Sequence, residues 1–271
     1  MNYKQYPVHP ALRKWIRYYW SYEAHCARFQ TFRVCSFADR YPRLVFQDVG
    51  SASFIREQSG GLKPLCYVSG IDTKPTETFW ESDFSHFGVS FRPHGLHAIL
   101  GMDAEQLTDT TPDVCVLDMS ILQEALMRAK SHELRVRAIE AYFFQQLSRQ
   151  KRDAIIDDIF SRMNTSFEDD QCSIVRWSRE YNISERQLQR RFKASVGISA
   201  RTFARIERFE ESVKMLSGAA FGQLTDIAYT LNYADQAHFI NDFKRFSGMT
   251  PYEFIKHQNL GSESASFIYL D

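Results

Sequence analysis

Arg186, Gln189 and Arg190 carry the most distinctive chemistry in this chain. Spaced three and four residues apart, they share one side of a helix. Arginine bonds bidentately to a guanine edge, and glutamine to an adenine edge, in the DNA major groove. The opposite side carries Leu188 and Phe192, four apart and suited to burial. Between positions 186 and 208 stand seven basic residues, at 186, 190, 191, 193, 201, 205 and 208, against the single acid Glu207, a local charge of +6. The whole chain has 33 basic and 33 acidic side chains and no formal net charge, so the basic excess is local. Such clustering is the electrostatic footprint of a nucleic-acid surface. A basic helix face is also compatible with simple solvation, so the surrounding elements decide.

Those elements occur twice. Phe192, Lys193, Gly197 and Ser199 correspond to Phe243, Lys244, Gly248 and Thr250, all offset by 51. Leu188 and Phe239 share the offset, as do Ser184 and Asp235. A short amphipathic helix comes first in each copy, over 174–181 and 224–231. A tight turn follows, Asn182-Ile183 in one copy and Asn232-Tyr233-Ala234 in the other. Asparagine tolerates the left-handed backbone such a turn needs. Ser184 or Asp235 then caps a second helix. Each copy, about 173–195 and 224–246, reads as a helix-turn-helix. Between them Ser199 caps a helix running to about Leu216, with an apolar stripe of Phe203, Ile206, Phe209 or Glu210, Val213 and Leu216. Eighteen residues span about 27 Å, near the roughly 34 Å between successive major-groove faces on one side of DNA.

Other chemistries find less support. Five cysteines, an odd number with no Cys-x-x-Cys pair, argue against a disulfide framework or zinc knot. His86, His94 and His97 lack a carboxylate pair at ligand spacing, so no metal is expected. No Gly-x-Ser-x-Gly elbow is present, and the acids Asp39, Asp48, Asp72 and Asp83 are scattered. No enzyme activity and no cofactor are implied. The first ten residues are polar, with no signal peptide, and no stretch approaches a membrane span, so a cytoplasmic protein is expected.

The first 150 residues read differently from the rest. Runs at 30–37, 43–49, 52–57, 65–71 and 86–91 are short and β-rich, separated by Pro, Gly and Asp signals. Leu12, Trp15, Ile16 and Tyr19 have helical spacing, and 93–100 reads as a short helix. Helical periodicity takes over from Ser120, and the boundary falls near 149–152. The fold class is α+β: a small antiparallel β-barrel or sandwich with flanking helices over 1–150, an all-α domain of about seven helices over 151–260, and a flexible tail over 261–271.

The second copy resembles the AraC/XylS family of bacterial transcription regulators in Asp226-Ile227-Ala228, Asn232-Tyr233, Asp235-Gln236, His238-Phe239, Phe243-Lys244-Arg245, Gly248 and Thr250-Pro251. The first copy matches at Ser184, Leu188, Arg190, Phe192-Lys193 and Gly197. The resemblance covers roughly 155–258 and implies seven helices with two helix-turn-helix units joined by a long helix. It implies base contacts from Arg186, Gln189 and Arg190, and from Gln236, His238 and Asn241, with Lys193, Lys244 and Arg245 beside them on the DNA surface. Ser178 stands where the family usually has Ala, and Asn232 where it usually has Gly. Asn241 and Asp242 make the second reading helix poor in positive charge, which assigns most of the affinity to the first.

By the same resemblance the N-terminal part is a sensing domain. Tyr67, Trp80, Phe87, Phe91 and Arg92 are candidates to line an effector pocket, although base rates for aromatics favour ordinary barrel core. The stripes over 120–147 suit either a homodimer interface or packing on the chain's own barrel. The implied partners are promoter or operator DNA, RNA polymerase, a small-molecule effector and a second copy. Two other readings remain open: an interaction adaptor with weakened DNA binding, and a small-barrel enzyme with a helical appendage.

Overall fold

A computed structural model describes residues 2–24, 31–48, 55–81, 83–150, 152–163, 173–218, 223–256 and 267–270. Cys26, Cys172 and the tail stretch 261–266 lie outside them. Two antiparallel sheets dominate the N-terminal part. The first has five strands in the order β1 (Asn2–Tyr6), β2 (Ile16–Ala24), β8 (Phe84–Phe91), β4 (Arg43–Gln47) and β6 (Cys66–Ser69). The second has four, in the order β5 (Arg56–Glu57), β7 (Thr76–Glu81), β3 (Thr31–Ser36) and β9 (Phe267–Leu270). Among the described residues the sheets do not join into a closed barrel.

Strand alternation assigns the two faces of the large sheet. Tyr19, Leu44, Phe46, Cys66, Val68, Phe87, Val89 and Phe91 turn to one side and are buried. There they pack under α1 (Gly95–Leu100), α2 (Ser120–Arg128) and α3 (His132–Arg149). Their neighbours in sequence, including Trp20, Tyr22, Tyr67 and His86, turn the other way and line a cavity. α2 and α3 thus cover the chain's own sheet.

Two expectations are corrected here. Leu12 to Tyr19 is not a helix: a single 3-10 turn, Pro10–Leu12, leads into β2. The pairing of β2 with β8 slips between Ile16 and Tyr18, so Ile16 and Tyr19, three apart, both reach the core. A bulge inserts one unpaired residue and reverses the alternation, which gives a strand the spacing of a helix. The second correction concerns the tail. Phe267–Leu270 forms β9, pairing with β3 in the register Val34 with Tyr269 and Cys35 with Ile268.

Among the described residues the C-terminal part has seven helices: α4 (Ala154–Arg162), α5 (Ile174–Glu180), α6 (Glu185–Val196), α7 (Ala200–Ser217), α8 (Leu224–Thr230), α9 (Gln236–Ser247) and α10 (Pro251–Lys256). α7 is the axis. Phe203, Ile206, Phe209, Val213 and Leu216 form its buried stripe, meeting Leu188 and Phe192 of α6 and Phe239 and Phe243 of α9. Each buried phenylalanine contributes about 2–3 kcal/mol by leaving water. The same core takes in Phe37, Ala38 and Ile71 from the N-terminal part and Ile268 of β9.

Candidate functional site

The two helix-turn-helix units are built by one device used twice. Asn182 and Asn232 adopt left-handed φ of 51° and 55° after α5 and α8. The chain reverses there, and the next amide donates back into the helix it has left: Ile183 N to Ser178 O at 3.1 Å, Tyr233 N to Ala228 O at 2.9 Å. Ser184 Oγ then accepts from Gln187 N at 3.2 Å, and Asp235 Oδ1 from His238 N at 2.7 Å, capping α6 and α9. Both helices end on a left-handed glycine, Gly197 (φ 96°) and Gly248 (φ 80°), whose amides donate to Lys193 O and Lys244 O. A Cβ on Gly197 would lie 2.5 Å from Thr108 Oγ1 and 2.7 Å from Ala104 O, so packing reserves this position for glycine as firmly as its φ does.

On α6, Arg186, Gln189 and Arg190 are exposed, as is Lys193, which bonds Glu105 Oε1 at 2.5 Å. On α9, His238, Asn241, Lys244 and Arg245 are exposed. Gln236 is half-buried, and its Oε1 accepts from Thr225 Oγ1 of α8 at 2.9 Å. Asp242 departs from expectation. It is buried, and its carboxylate receives Arg205 Nε at 3.1 Å and Nη2 at 2.5 Å from α7. It therefore braces α9 against the connector and adds little negative charge to the reading face, which removes the main ground for ranking the second unit below the first. The basic run is likewise divided. Arg191 faces Asp153 at 3.5 Å, Arg205 holds Asp242, and Arg208 lies 5.1 Å from the Tyr233 ring. Arg186, Arg190, Lys193 and Arg201 stay exposed, so part of the local +6 serves folding.

The second feature is a cavity of about 1140 Å³ between the sheets. Tyr67 and Trp80 line it as expected; Phe87, Phe91 and Arg92 do not. Phe87 and Phe91 have the opposite strand parity and belong to the core beneath the helices. Arg92 lies beyond the end of β8, where its Nε donates to Arg13 O at 2.9 Å. Trp20, Tyr22 and His86 take their place, and alternation from Phe87 would have named His86. Ser247, Gly248 and Met249, at the C-terminal end of α9, complete the wall with Glu253 of α10. The three histidines are separated: His86 lines the cavity, His94 Nε2 faces Asp157 at 3.3 Å, and His97 Nδ1 meets Met102 O at 2.6 Å.

Asp72, also in the wall, is pushed up to about 6 by burial, with Asp109 adding to the shift and Arg43 opposing it. The folded chain binds this proton more tightly than the unfolded one, so stability falls as pH rises through 4 to 6. Asp72→Asn is expected to gain about 1–3 kcal/mol in urea unfolding at pH 7.5 and nothing at pH 4. A loss at pH 7.5 would mean the ionised carboxylate is needed where it stands.

Residues 177–257 match the family described as "Helix-turn-helix domain". The helical part is an AraC-type helix-turn-helix domain. These helix-turn-helix units are the DNA-binding part of the chain. Residues 4–113 match a domain of unknown function, DUF6597. No curated protein sequence matches the chain. Among solved structures, ToxT from Vibrio cholerae O395 is similar at 11% identity, covering 88% of this chain and 97% of that one, with a TM-score of 0.39. Unsaturated fatty acid bound ToxT from V. cholerae strain SCE256 is similar at 13% identity, covering 87% and 93%, with a TM-score of 0.37.

The AraC-type domain does not stand apart from the N-terminal part. The end of α6 rests on a 3-10 turn, Ala104–Leu107, where Thr108 Oγ1 donates to Gly197 O at 3.0 Å. Asp157 of α4 receives Trp15 Nε1 at 3.0 Å and faces Lys14 Nζ at 3.3 Å. Arg40, after β3, pairs with Glu207 and, at 2.9 Å, with Glu210 of α7. Ala38 N donates to Phe246 O at 2.9 Å, and Cys35 Sγ to Ser247 O at 3.8 Å. No helix among the described residues is long and apolar enough to cross a membrane.

Proposed function

We propose that the chain is a transcription regulator of AraC type that reads two successive major-groove segments of an operator with α6 and α9, and that a small molecule in the cavity adjusts that reading. Arg186, Gln189 and Arg190 contact bases in one groove, and Gln236, His238 and Asn241 in the next. Lys193, Lys244 and Arg245 meet phosphates. The observation that carries this is the pair of equivalently capped reading helices joined by the 18-residue helix α7. At 1.5 Å per residue α7 spans about 27 Å, close to the roughly 34 Å repeat of the groove. The modulation is supported by the cavity wall, which includes the residues that end α9. An occupant of the cavity touches that cap directly.

Selection from a random double-stranded DNA pool tests the reading. The purified chain is expected to enrich a motif spanning about two helical turns, with affinity falling steeply with salt. No enrichment at moderate salt, with or without a cell extract supplying small molecules, would contradict it.

A further inference from the structure

A second, smaller pocket of about 360 Å³ lies at the end of the large sheet where β1 and β8 finish and β2 begins. Arg13, Arg17 and Arg92 line it with Tyr6 and Tyr18. Among the described residues no acidic side chain lines it, and none of the three guanidinium groups is ion-paired. Other arginines of the chain are matched: Arg40 with Glu207, Arg135 with Asp48, and Arg205 with Asp242. Apart from Tyr18, the wall of this pocket is not that of the larger cavity.

The fold holds the three side chains by parts that leave terminal N–H groups unused. Arg13 Nε donates to Val8 O at 3.2 Å, and Arg92 Nε donates to Arg13 O at 2.9 Å. Each tether fixes a guanidinium by its Nε and keeps both Nη groups available. Arg17 is held by its face, 3.5 Å from the centre of the Tyr41 ring, with Nη1 reaching Ser90 Oγ at 3.4 Å. It is also the residue that the bulge in β2 inserts. Ile16 pairs with Phe91 and Tyr18 with Ser90, so Arg17 has no opposite residue on β8. A bulge re-aims a side chain, and this one turns Arg17 into the wall that Arg92 lines. A single solvated arginine needs no partner. Three on one concave wall repel one another, and once tethered they form a ready fork for an anion.

Charge balance selects the anion. A carboxylate offsets one of three positive charges. A phosphate monoester carries nearly two negative charges at neutral pH and three strong acceptor oxygens, one for each guanidinium. The volume lies near the lower end for small-molecule pockets, which suits a phosphoryl group with a small organic part. The Tyr18 ring, 5.1 Å from the Arg17 guanidinium, offers that part a face. We infer that Arg13, Arg17 and Arg92 bind the phosphate group of a small phosphomonoester, at a site separate from the reading helices. The assignment does not depend on the role proposed for the larger cavity.

The test is calorimetric titration of the full chain at pH 8 with phenyl phosphate and benzoate. Phenyl phosphate is expected to bind saturably and at least about tenfold more tightly than benzoate. Arg17→Gln is expected to lose about tenfold or more in phenyl phosphate affinity, whereas Arg190→Ala keeps it. If Arg17→Gln does not fold, Arg13→Gln changes an exposed residue and is expected to lose a similar factor. Operator affinity and its salt slope are expected to be the same in the Gln variant as in the parent. No phenyl phosphate binding, benzoate bound as tightly, or unchanged phenyl phosphate affinity in the Gln variant overturns the assignment. So does a loss confined to Arg190→Ala, which would move the anion to the reading helix. An operator salt slope shallower by about 1 in the Gln variant would place a DNA phosphate in the pocket and overturn it as well.

Discussion

Arg190→Ala is expected to weaken operator binding about 5- to 150-fold, the roughly 1–3 kcal/mol of one bidentate base contact. Arg190 sits near the middle of α6, one turn after Arg186, on the face opposite the buried Leu188 and Phe192. It is exposed, so its removal leaves the fold intact. The loss therefore reports on DNA and not on stability. Its form matters as much as its size. A base contact is sequence-specific: affinity falls on the operator, hardly changes on unrelated DNA, and the salt slope stays the same. A phosphate contact lowers affinity on all sequences and flattens the slope by about 1, the behaviour expected of Lys193→Ala. Fluorescence-anisotropy titrations on operator and scrambled DNA at three salt concentrations separate the two. A uniform loss with a shallower slope would move Arg190 from the base edge to the backbone.

The second large effect is on stability. Arg40→Ala is expected to cost about 3–5 kcal/mol, because it strands a buried carboxylate. The Arg40 side chain is 10% exposed and that of Glu207 only 6%. The pair joins the loop after β3 to the middle of α7. By contrast, Lys193 and Glu105 are about half exposed, and such a pair contributes about 0–1 kcal/mol. The two parts of the chain are thus held by Arg40 and the shared core far more than by the latch on α6. Burial already pushes the Glu207 carboxyl above its ordinary range, with Arg40 opposing. Without Arg40 the folded chain holds that proton more tightly still. A protonated Glu207 needs no cation, so the deficit shrinks as pH falls. Urea unfolding at pH 8 and pH 5 measures both predictions, and Glu207→Gln added to Arg40→Ala is expected to recover most of the loss. A deficit below about 1 kcal/mol at pH 8 would mean water reaches Glu207 freely.

The helical half was legible because its signals are local. Ser184, Ser199 and Asp235 cap where a side-chain oxygen must meet an orphan amide, and Asn182 and Asn232 turn where a left-handed residue is needed. The offset of 51 between Leu188 and Phe239 survives as two helices on one connector. What sequence reading missed depends on distant partners. Asp242 reads as surface charge until Arg205, 37 residues away, is seen to hold it. Phe267–Leu270 reads as tail because the strand it pairs with lies more than 200 residues earlier. The bulge after Ile16 is fixed by the register with β8 and imitates a helical repeat. Phe87 lies in the core beneath the helices, and strand parity turns its neighbour His86 to the cavity.

The decisive measurement is a hydroxyl-radical and methylation footprint on the selected operator, for the parent chain, Arg190→Ala and Asn241→Ala. Two protected major-groove segments about one helical turn apart on one face of the DNA are expected, with Arg190→Ala losing one and Asn241→Ala the other. A single protected segment, or the loss of the same segment in both variants, would contradict reading by two helices on one rigid connector.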